Sequence, residues 1–287
     1  MNKLTISNFT DPMMGLSYES EPFFRKLETH FKDRLELKYV MAGLVRDVYD
    51  FVDPADLRNG KDYALKKYNV RLARIYEDEE PITGMPINMS NFKLFSTRHT
   101  SSIPLNLAYK AAQLTDHSKA DLFLYNLRYA TIVECRPTTH FEEILAVVEQ
   151  TQINPDSFVM HYQDGSAQAA LAADFELRRA WSVRTLPAYL FQYAGQHALV
   201  HGVLRYADFV AVIAQLTEGK LGPVAPKISV EGIRDLINLH PLISPIEIRD
   251  AFGLRDLAQV KELIYPLIEA GEICLEEVHH GWFIRKS

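Results

Sequence analysis

The chain has 287 residues, of which 47% are hydrophobic and 24% charged, and its formal charge at pH 7 is -6. This composition is typical of a globular protein and excludes a mainly disordered chain. An acidic chain has no general attraction for a phosphate backbone, so we expect no nucleic-acid partner.

The N-terminal segment argues against secretion. Residues 1–9 alternate polar and apolar side chains and lack the apolar core and small-residue cleavage site of a signal peptide. No apolar stretch approaches the roughly 18 to 20 residues that span a bilayer. We therefore expect a cytoplasmic protein with no membrane partner.

The two cysteines, Cys135 and Cys274, are far apart in sequence. Neither belongs to a Cys-x-x-Cys pair or to a metal-ligand spacing, which argues against a structural zinc site. Isolated cysteines of this kind usually behave as small apolar residues. We predict that both are buried and that the chain holds no metal.

The first fifty residues predict a strand, a helix and a second strand. Residues 4–9 have strand character, apolar residues recur at helical spacing from Phe23 to Phe31, and residues 35–40 alternate at period two. A strand-helix-strand unit is expected to form a right-handed parallel crossover.

A long helical region follows, without strand alternation. Its clearest helices are predicted at residues 103–114, 121–133, 141–151 and 164–181.

Strand character then returns at residues 188–193. A turn leads to a partner strand at 198–201, and a helix at 206–216 closes the unit. This order predicts an α/β, thioredoxin-like fold with an inserted helical domain. The thioredoxin-like domain would be discontinuous, formed by residues 1–52 and 182–218, and the helical domain would span 53–181.

Residues 219–228 are rich in Gly and Pro and predict a linker to a further domain at 229–287. Three helices and a hairpin at residues 272–284 are expected in that domain. Ser244 and Glu247 have capping-box spacing with Pro at the first helical position between them, which fixes one helix start. This arrangement predicts a winged-helix-like domain.

The charge of this C-terminal domain is unsuited to DNA. From residue 229 onward it has six basic and ten acidic side chains, and its expected recognition helix at residues 256–263 has more acid than base. Phosphate contacts require the reverse. We interpret the domain as a protein-interaction module, and homodimerisation through it is left open.

A family resemblance begins at TDPMMGLSYESEP, residues 10–22. This segment resembles the strand-to-helix turn of DsbA-like dithiol-disulfide isomerases of the FrnE type, which have Asp-Pro-x-Cys-x-x-Cys-Trp there. On alignment the nucleophilic cysteine falls on Met14 and the resolving cysteine on Ser17. Both thiols of the redox pair are absent.

Further segments extend the resemblance over about residues 3–216. VMAGLV at 40–45 resembles that family's Met-Gly-Gly-Leu segment, and GMP at 84–86 and SSIP at 101–104 resemble its helical-domain signatures. VRTLP at 183–187 occupies the position of its cis-proline loop. The resemblance implies a relative of disulfide isomerases without the catalytic cysteines.

The loss of both thiols removes ordinary dithiol chemistry. A thioether such as Met14 cannot form a mixed disulfide. A serine hydroxyl such as that of Ser17 is a poor nucleophile without an adjacent base, and no base is identifiable nearby in sequence. No catalytic residue is assigned, and whether any oxidoreductase-type activity survives stays open.

A related branch offers an enzyme alternative. The kappa-class glutathione transferases and hydroxychromene-carboxylate isomerases use serine and glutathione on the same turn, although their working serine falls near Met14 and not at Ser17. Under this alternative the chain is a glutathione-dependent transferase or isomerase with glutathione as cofactor. Otherwise no cofactor is expected.

The favoured hypothesis is a binding function. A cis X-Pro bond at Pro187 would leave the preceding backbone free to pair with an extended peptide, and methionines beside it would form an adaptable apolar surface. The resemblance also includes cytoplasmic members that present clients to proteases. We therefore expect an adaptor whose peptide or small-ligand groove is formed by Pro12, Met14, Ser17, Tyr18, Met85, Thr185, Leu186 and Pro187. In a simpler alternative, the methionines only fill the space left by the cysteines.

Overall fold

A four-stranded sheet forms the centre of the N-terminal unit in the computed structural model, which describes residues 3–287. The strand order is β2-β1-β3-β4. The pair β1 and β2 is parallel, as predicted for the crossover, and the other pairs are antiparallel. The strands are β1 (Leu4–Thr10), β2 (Leu35–Met41), β3 (Ala188–Tyr193) and β4 (Gln196–His201).

Three helices accompany this sheet. The crossover between β1 and β2 contains α1 (Gly15–Glu19) and α2 (Glu21–Phe31), and α10 (Tyr206–Leu216) follows β4. Alternate side chains of β1 and β3 pack with α2 and α10 in one apolar cluster, because successive strand residues point to opposite faces. The predicted amphipathic stripe of α2 therefore faces the sheet.

The helical region between β2 and β3 contains seven α-helices in the described chain. Sequence periodicity located four of them, but α3, α4 and α8 were not singled out. The helices are α3 (Pro54–Leu57), α4 (Lys61–Glu79), α5 (Ile103–Thr115), α6 (Ala120–Ile132), α7 (Phe141–Gln150), α8 (Pro155–Gln163) and α9 (Ser166–Ala180).

The C-terminal unit consists of three helices and a three-stranded antiparallel sheet of order β5-β7-β6. The capping box forms as predicted at the start of α12. The Glu247 carboxylate accepts from the backbone N–H of Ser244 (2.8 Å), and the Ser244 hydroxyl accepts from the N–H of Ile246 (3.2 Å). The two-residue strand β5 was not predicted. The elements are α11 (Val230–Leu239), β5 (Leu242–Ile243), α12 (Pro245–Phe252), α13 (Leu257–Glu269), β6 (Ile273–Val278) and β7 (Gly281–Lys286).

This C-terminal unit packs against the rest of the molecule. Leu242, Ile246 and Phe283 belong to the same apolar cluster as the inserted helices. The ring of Tyr129 on α6 lies 4.8 Å from that of Phe283, and its hydroxyl donates to Glu276 at 2.9 Å. The Gly- and Pro-rich segment before α11 is also held, since Val224 N–H donates to the carbonyl of His30.

No helix in residues 3–287 combines the length and the apolar character needed to cross a bilayer.

Candidate functional site

The turn after β1 is fixed by the carboxylate of Asp11. It accepts hydrogen bonds from the backbone N–H groups of Met13 (3.1 Å) and Leu44 (2.7 Å), and from the side chains of Ser102 and Asn106 (both 2.8 Å). Burial raises the pKa of Asp11, and these donors oppose the shift. One side chain therefore connects β1, the loop after β2 and the start of α5.

Met14 and Ser17 occupy the two positions at which the resembled family has cysteines. Met14 caps the N-terminus of α1 and is 5% exposed, and Ser17 is fully buried. The Ser17 Oγ lies 2.7 Å from Oγ1 of Thr10. Because the partner of Ser17 is another hydroxyl and not a base, neither position supplies a nucleophile.

The C-terminal end of α4 covers this turn. The hydroxyl of Tyr76 donates to the carbonyl of Met13. At Gly15 an added methyl group would overlap the carboxylate of Glu79 and lie 2.5 Å from the ring of Tyr76. Burial raises the pKa of Glu79 to about 7. The side of α1 that faces α4 therefore leaves no room for a ligand.

The predicted groove residues nearest to this turn are buried. Tyr18 donates its hydroxyl to the carbonyl of Pro86 at 2.7 Å, which joins α1 to the loop that carries Met85. The structure thus brings α1 and this loop together, but as interior packing with almost no surface for a ligand. The buried residues are Pro12, Met14, Ser17, Tyr18 and Met85.

The cis-proline loop is more accessible. The Leu186–Pro187 bond is cis, as the resemblance implies. Pro187 is buried and its carbonyl accepts from Gly202, whereas Thr185 is exposed and Leu186 half-buried. Among the described residues, no backbone hydrogen bond engages Thr185 or Leu186. Their N–H and C=O groups are therefore available to an extended peptide.

A chain of buried polar side chains begins at Ser17. Its partner Thr10 accepts a hydrogen bond from Arg128 (2.9 Å), and Arg128 pairs with Glu21 (2.6 Å). Glu21 in turn pairs with Arg25 at 2.9 Å. Arg128 and Glu21 are at most 1% exposed, so their charges are compensated by each other and not by solvent.

This chain continues into the C-terminal unit. Arg25 pairs with Glu28 (2.7 Å) on its own helix and with Glu247 (3.0 Å) on α12. Glu247 also accepts from the hydroxyl of Tyr125 (2.5 Å) and from the backbone N–H of Ser244 (2.8 Å). The capping-box glutamate therefore has a second role, which is to join three parts of the molecule.

The pKa values of Glu247 and Glu28, the two carboxylates at the C-terminal end of this network, are shifted in opposite directions. Burial raises the pKa of Glu247 to about 7, with the charge of Arg25 acting against the shift. Burial also opposes ionisation of Glu28, but the hydrogen bond to His240 (2.9 Å) and the charge of Arg25 outweigh it and lower the pKa to about 2. Glu28 is therefore the firmly ionised partner of Arg25.

A cleft of about 840 Å³ lies beside this network, between α2, the edge strand β2 and α11. Leu37, Tyr39, Asp121 and His240 contribute to its lining. None of the predicted groove residues lines it. The concave surface beside the network is thus separate from the turn that the sequence resemblance singled out.

The prediction that both cysteines are buried is wrong. Cys274 is exposed and Cys135 is half-buried. Cys274 is the second residue of β6 and shares a face of that strand with Glu276, but it lies beyond the contact that Glu276 makes with Tyr129. Cys135 lies in the turn after α6. Across residues 3–287, no group of three His, Cys, Asp or Glu side chains is placed to hold a metal ion.

Sequence reasoning did not single out Glu21, Arg25 and Arg128. A signal was present for Arg128, because it is the only charged side chain between Phe123 and Ile132 of a mainly apolar helix, and every residue of that stretch is buried. A charged side chain in such a helix requires a buried partner. The identity of that partner could not be deduced, since Glu21 lies 107 positions away.

A family model described as Thioredoxin matches residues 8–210. The chain belongs to the thioredoxin family. The match includes the turn after β1, the inserted helices and the cis-proline loop.

Curated relatives align over nearly the whole chain. The ClpXP adapter protein SpxH of Halalkalibacterium halodurans is 21% identical over 285 residues, which cover 98% of this chain and 88% of that protein. The SpxH protein of Bacillus licheniformis is 22% identical over 287 residues with the same coverage. The likeness therefore extends through the C-terminal unit.

Solved structures agree with the fold. A candidate protein disulfide isomerase from Nitrosomonas europaea superposes with a TM-score of 0.62 at 14% identity, covering 76% of this chain and 100% of that chain. The cytosolic disulfide reductase DsbM from Pseudomonas aeruginosa gives 0.52 at 17% identity, covering 75% and 98%. The DsbA-like thioredoxin fold is confirmed, and this chain lacks the Cys-x-x-Cys pair.

Proposed function

We propose that this chain is an adaptor protein that binds a protein client without thiol chemistry. The observation that carries the proposal is the replacement of both redox positions by the buried side chains of Met14 and Ser17. The curated relatives, which bear the name ClpXP adapter protein, align over 98% of the chain and support the same conclusion. The protein would act in the cytoplasm.

The cis-proline loop would be the client-binding element. The unpaired backbone at Thr185 and Leu186 suits an extended client segment, which would add main-chain hydrogen bonds. Behind this loop, Pro187 and the buried turn residues Pro12, Met14, Ser17, Tyr18 and Met85 would support its shape, because they expose too little surface to contact a client themselves.

The C-terminal unit is proposed to be a winged-helix-like module used for protein contacts. Its helix-strand-helix-helix-hairpin order supports this assignment, and its excess of acidic side chains makes DNA an unsuitable partner. Its packing against α2 and α6 would hold the module in a fixed position relative to the cis-proline loop, and it would be the contact surface in any homodimer.

The test begins in cells of the source organism. Clients are proteins whose half-life lengthens when the gene for this chain is deleted and also when ClpX is depleted. One such client is then degraded by purified ClpXP with and without the chain. We expect the chain to accelerate degradation, Thr185→Pro to lose most of the acceleration because the N–H is removed, and Thr185→Val to retain it.

Two results would refute the adaptor function. One is that no protein meets both criteria in cells. The other is that degradation of the selected client by purified ClpXP is unchanged when the chain is added. Equal acceleration by Thr185→Pro and by the wild type would leave the adaptor function intact but refute the cis-proline loop as the binding element.

A further inference from the structure

Exposed apolar side chains concentrate around α4. Of the twelve large apolar residues that are exposed in the described chain, five lie between Phe51 and Ile82. Among them, Val70 is 56% exposed and Tyr63 44% exposed. Isolated exposed apolar residues are ordinary, but a local concentration of them is typical of an interaction surface.

The same segment is basic, although the chain as a whole is acidic. Residues 58–74 include six basic side chains and one acidic side chain, against a net charge of -6 for the whole chain. Lys67 pairs with Asp56 at 2.8 Å. Within residues 3–287, no carboxylate lies within 4.0 Å of the charged groups of Lys66, Arg71 or Arg74, although Arg71 donates to the carbonyl of Phe51. These three charges therefore have no ionic partner in the described chain.

Apolar and basic residues share one face of the helix. They recur three and four positions apart, which places them along a single exposed line. We call this line the α4 ridge, and it consists of Tyr63, Lys66, Lys67, Val70, Arg71 and Arg74.

A cavity lies on each side of the α4 ridge. One, of about 560 Å³, is lined on its apolar side by Val52 and Tyr68, and the other, of about 800 Å³, by Leu65, Met89 and Phe92. Lys66, Val70 and Arg74 border both cavities. Asp53 and Asp56 also line the first cavity, and Asp62 and Glu77 the second, but basic side chains outnumber acidic ones in both linings. The surface therefore offers two partly apolar cavities separated by a line of mainly positive charge.

We propose that the α4 ridge is a docking surface for an acidic segment of a partner protein, whose apolar side chains enter the two cavities. Carboxylates of the segment would pair with Lys66, Arg71 and Arg74. A nucleic acid would satisfy the charges, but its backbone has no apolar groups for the cavities and the remainder of the chain would repel it. This surface is separate from the cis-proline loop and does not depend on the adaptor function.

The test measures binding of a defined probe by fluorescence anisotropy. The probe is a labelled amphipathic peptide of about 18 residues, made of Leu and Glu, and its counterpart has Lys in place of Glu. We expect the full-length protein to bind the acidic peptide, to bind it more weakly at high salt, and not to bind the basic one. Lys66→Glu combined with Arg74→Glu should weaken binding by about tenfold or more, and Val70→Ser by about threefold or more.

The matched control places the same charge change elsewhere. Arg255→Glu combined with Lys286→Glu also reverses two exposed cations, so the net charge is equal but the α4 ridge is intact. This control should bind the acidic peptide within about twofold of the wild type, since specific pairing and not net charge decides the affinity. Thermal melts verify that all variants are folded.

Four results would overturn the proposal. The first is that the wild type does not bind the acidic peptide, and the second is that the Arg255→Glu, Lys286→Glu control weakens binding as much as the Lys66→Glu, Arg74→Glu variant. The third is a dimer of the wild type that the Lys66→Glu, Arg74→Glu variant cannot form. The fourth is tight binding of a 20-base-pair duplex by the wild type that this variant loses. The dimer would make a second copy the occupant, and the duplex result would make it a nucleic acid.

Discussion

Nε of Arg25 on α2 lies 3.0 Å from Oε1 of Glu247 on α12, and the two residues are separated by 222 positions in sequence. The Glu247 side chain is fully buried and that of Arg25 is 8% exposed. A buried ion pair compensates a desolvation cost more than it adds net stability. Its clearest consequence is that the C-terminal unit has one defined position against the thioredoxin-like unit.

Removing Arg25 should be more costly than removing the charge of Glu247. Arg25→Met leaves Glu21, Glu28 and Glu247 without their shared cation, so we expect the free energy of unfolding to fall by about 3–5 kcal/mol. Glu247→Gln leaves Arg25 with two carboxylates and should cost about 1–3 kcal/mol. Urea unfolding followed by circular dichroism measures both.

The exposed pair of Arg234 and Glu272, with 2.8 Å between nitrogen and oxygen, is the control. Both side chains are about two-fifths exposed, so solvent screens the pair and Arg234→Ala should be nearly neutral. If Arg25→Met were no more destabilising than Arg234→Ala, the buried network would not hold the two units together.

The carboxyl group of Glu19 should make stability depend on pH. Burial raises its pKa from the usual 4.5 to about 8, with the two hydrogen bonds from Thr83 opposing the shift and the charge of Glu80 adding to it. A pKa that is raised in the folded state gives stability that is complete below pH 4.5 and is lost as the pH rises through about 8. The expected loss has a slope of up to about 1.4 kcal/mol per pH unit.

Glu19→Gln isolates this contribution, because Glu79 and Glu247 also have raised pKa values and remain in the variant. Urea unfolding is measured at pH 5 and at pH 8.5. Between these two values the free energy of unfolding should fall less for Glu19→Gln than for the wild type. Glu262→Gln on the exposed side of α13 is the matched control. Parallel pH profiles for the wild type and Glu19→Gln would contradict burial of an ionisable group at this position.

A methyl group at Gly15 tests the closure of the turn by α4. Gly15→Ala would press on Glu79 and Tyr76, so we expect a loss of about 1–3 kcal/mol in the free energy of unfolding. In a Glu79→Ala background the loss should be smaller, since one of the two obstacles is gone. Gly222→Ala, which meets no atom within 4 Å, should be nearly neutral. A neutral Gly15→Ala would indicate that α4 does not close over the turn.

The sequence predicts those features that depend on neighbouring residues. The crossover of β1, α2 and β2 follows from local periodicity, and the start of α12 follows from Ser244 and Glu247. The cis bond before Pro187 was predicted from the family resemblance and not from periodicity. The assignment of Met14 and Ser17 to the lost thiol positions was made in the same way. In each case the residues that carry the signal are adjacent or a few positions apart.

Features formed by distant residues could not be predicted in this way. The cover over Met13 comes from Tyr76, which is 63 positions away, and Arg25 pairs with Glu247, which is 222 positions away. The exposure of Cys274 depends on how far the inserted helices extend along β6, because Glu276 on the same face contacts Tyr129 and Cys274 does not. The same holds for the burial of Pro12, Met14, Ser17, Tyr18 and Met85, which the fold uses for packing, whereas Thr185 and Leu186 of the predicted groove are accessible.

The two cysteines should differ in reactivity but support no redox activity. Cys274 is exposed, whereas Cys135 is half-buried with a pKa raised by burial, so labelling with Ellman's reagent should be biphasic. Cys274→Ser should remove the fast phase. Neither the wild type nor this variant should reduce insulin. Insulin reduction that disappears in Cys274→Ser or Cys135→Ser would contradict the assignment of a non-redox protein.

Glutathione should not stabilise the folded protein. Ser17, the residue that motivates the glutathione alternative, is fully buried and bonded to Thr10, and α4 closes the turn on one side. A ligand with a Kd of about 1 mM, present at about 10 mM, would add about 1.4 kcal/mol and raise the melting midpoint by roughly 2–4 °C. We expect no such rise in a thermal scan. A saturable rise that is lost in Ser17→Ala but kept in Ser118→Ala, an exposed serine, would favour the glutathione-dependent enzyme over the adaptor.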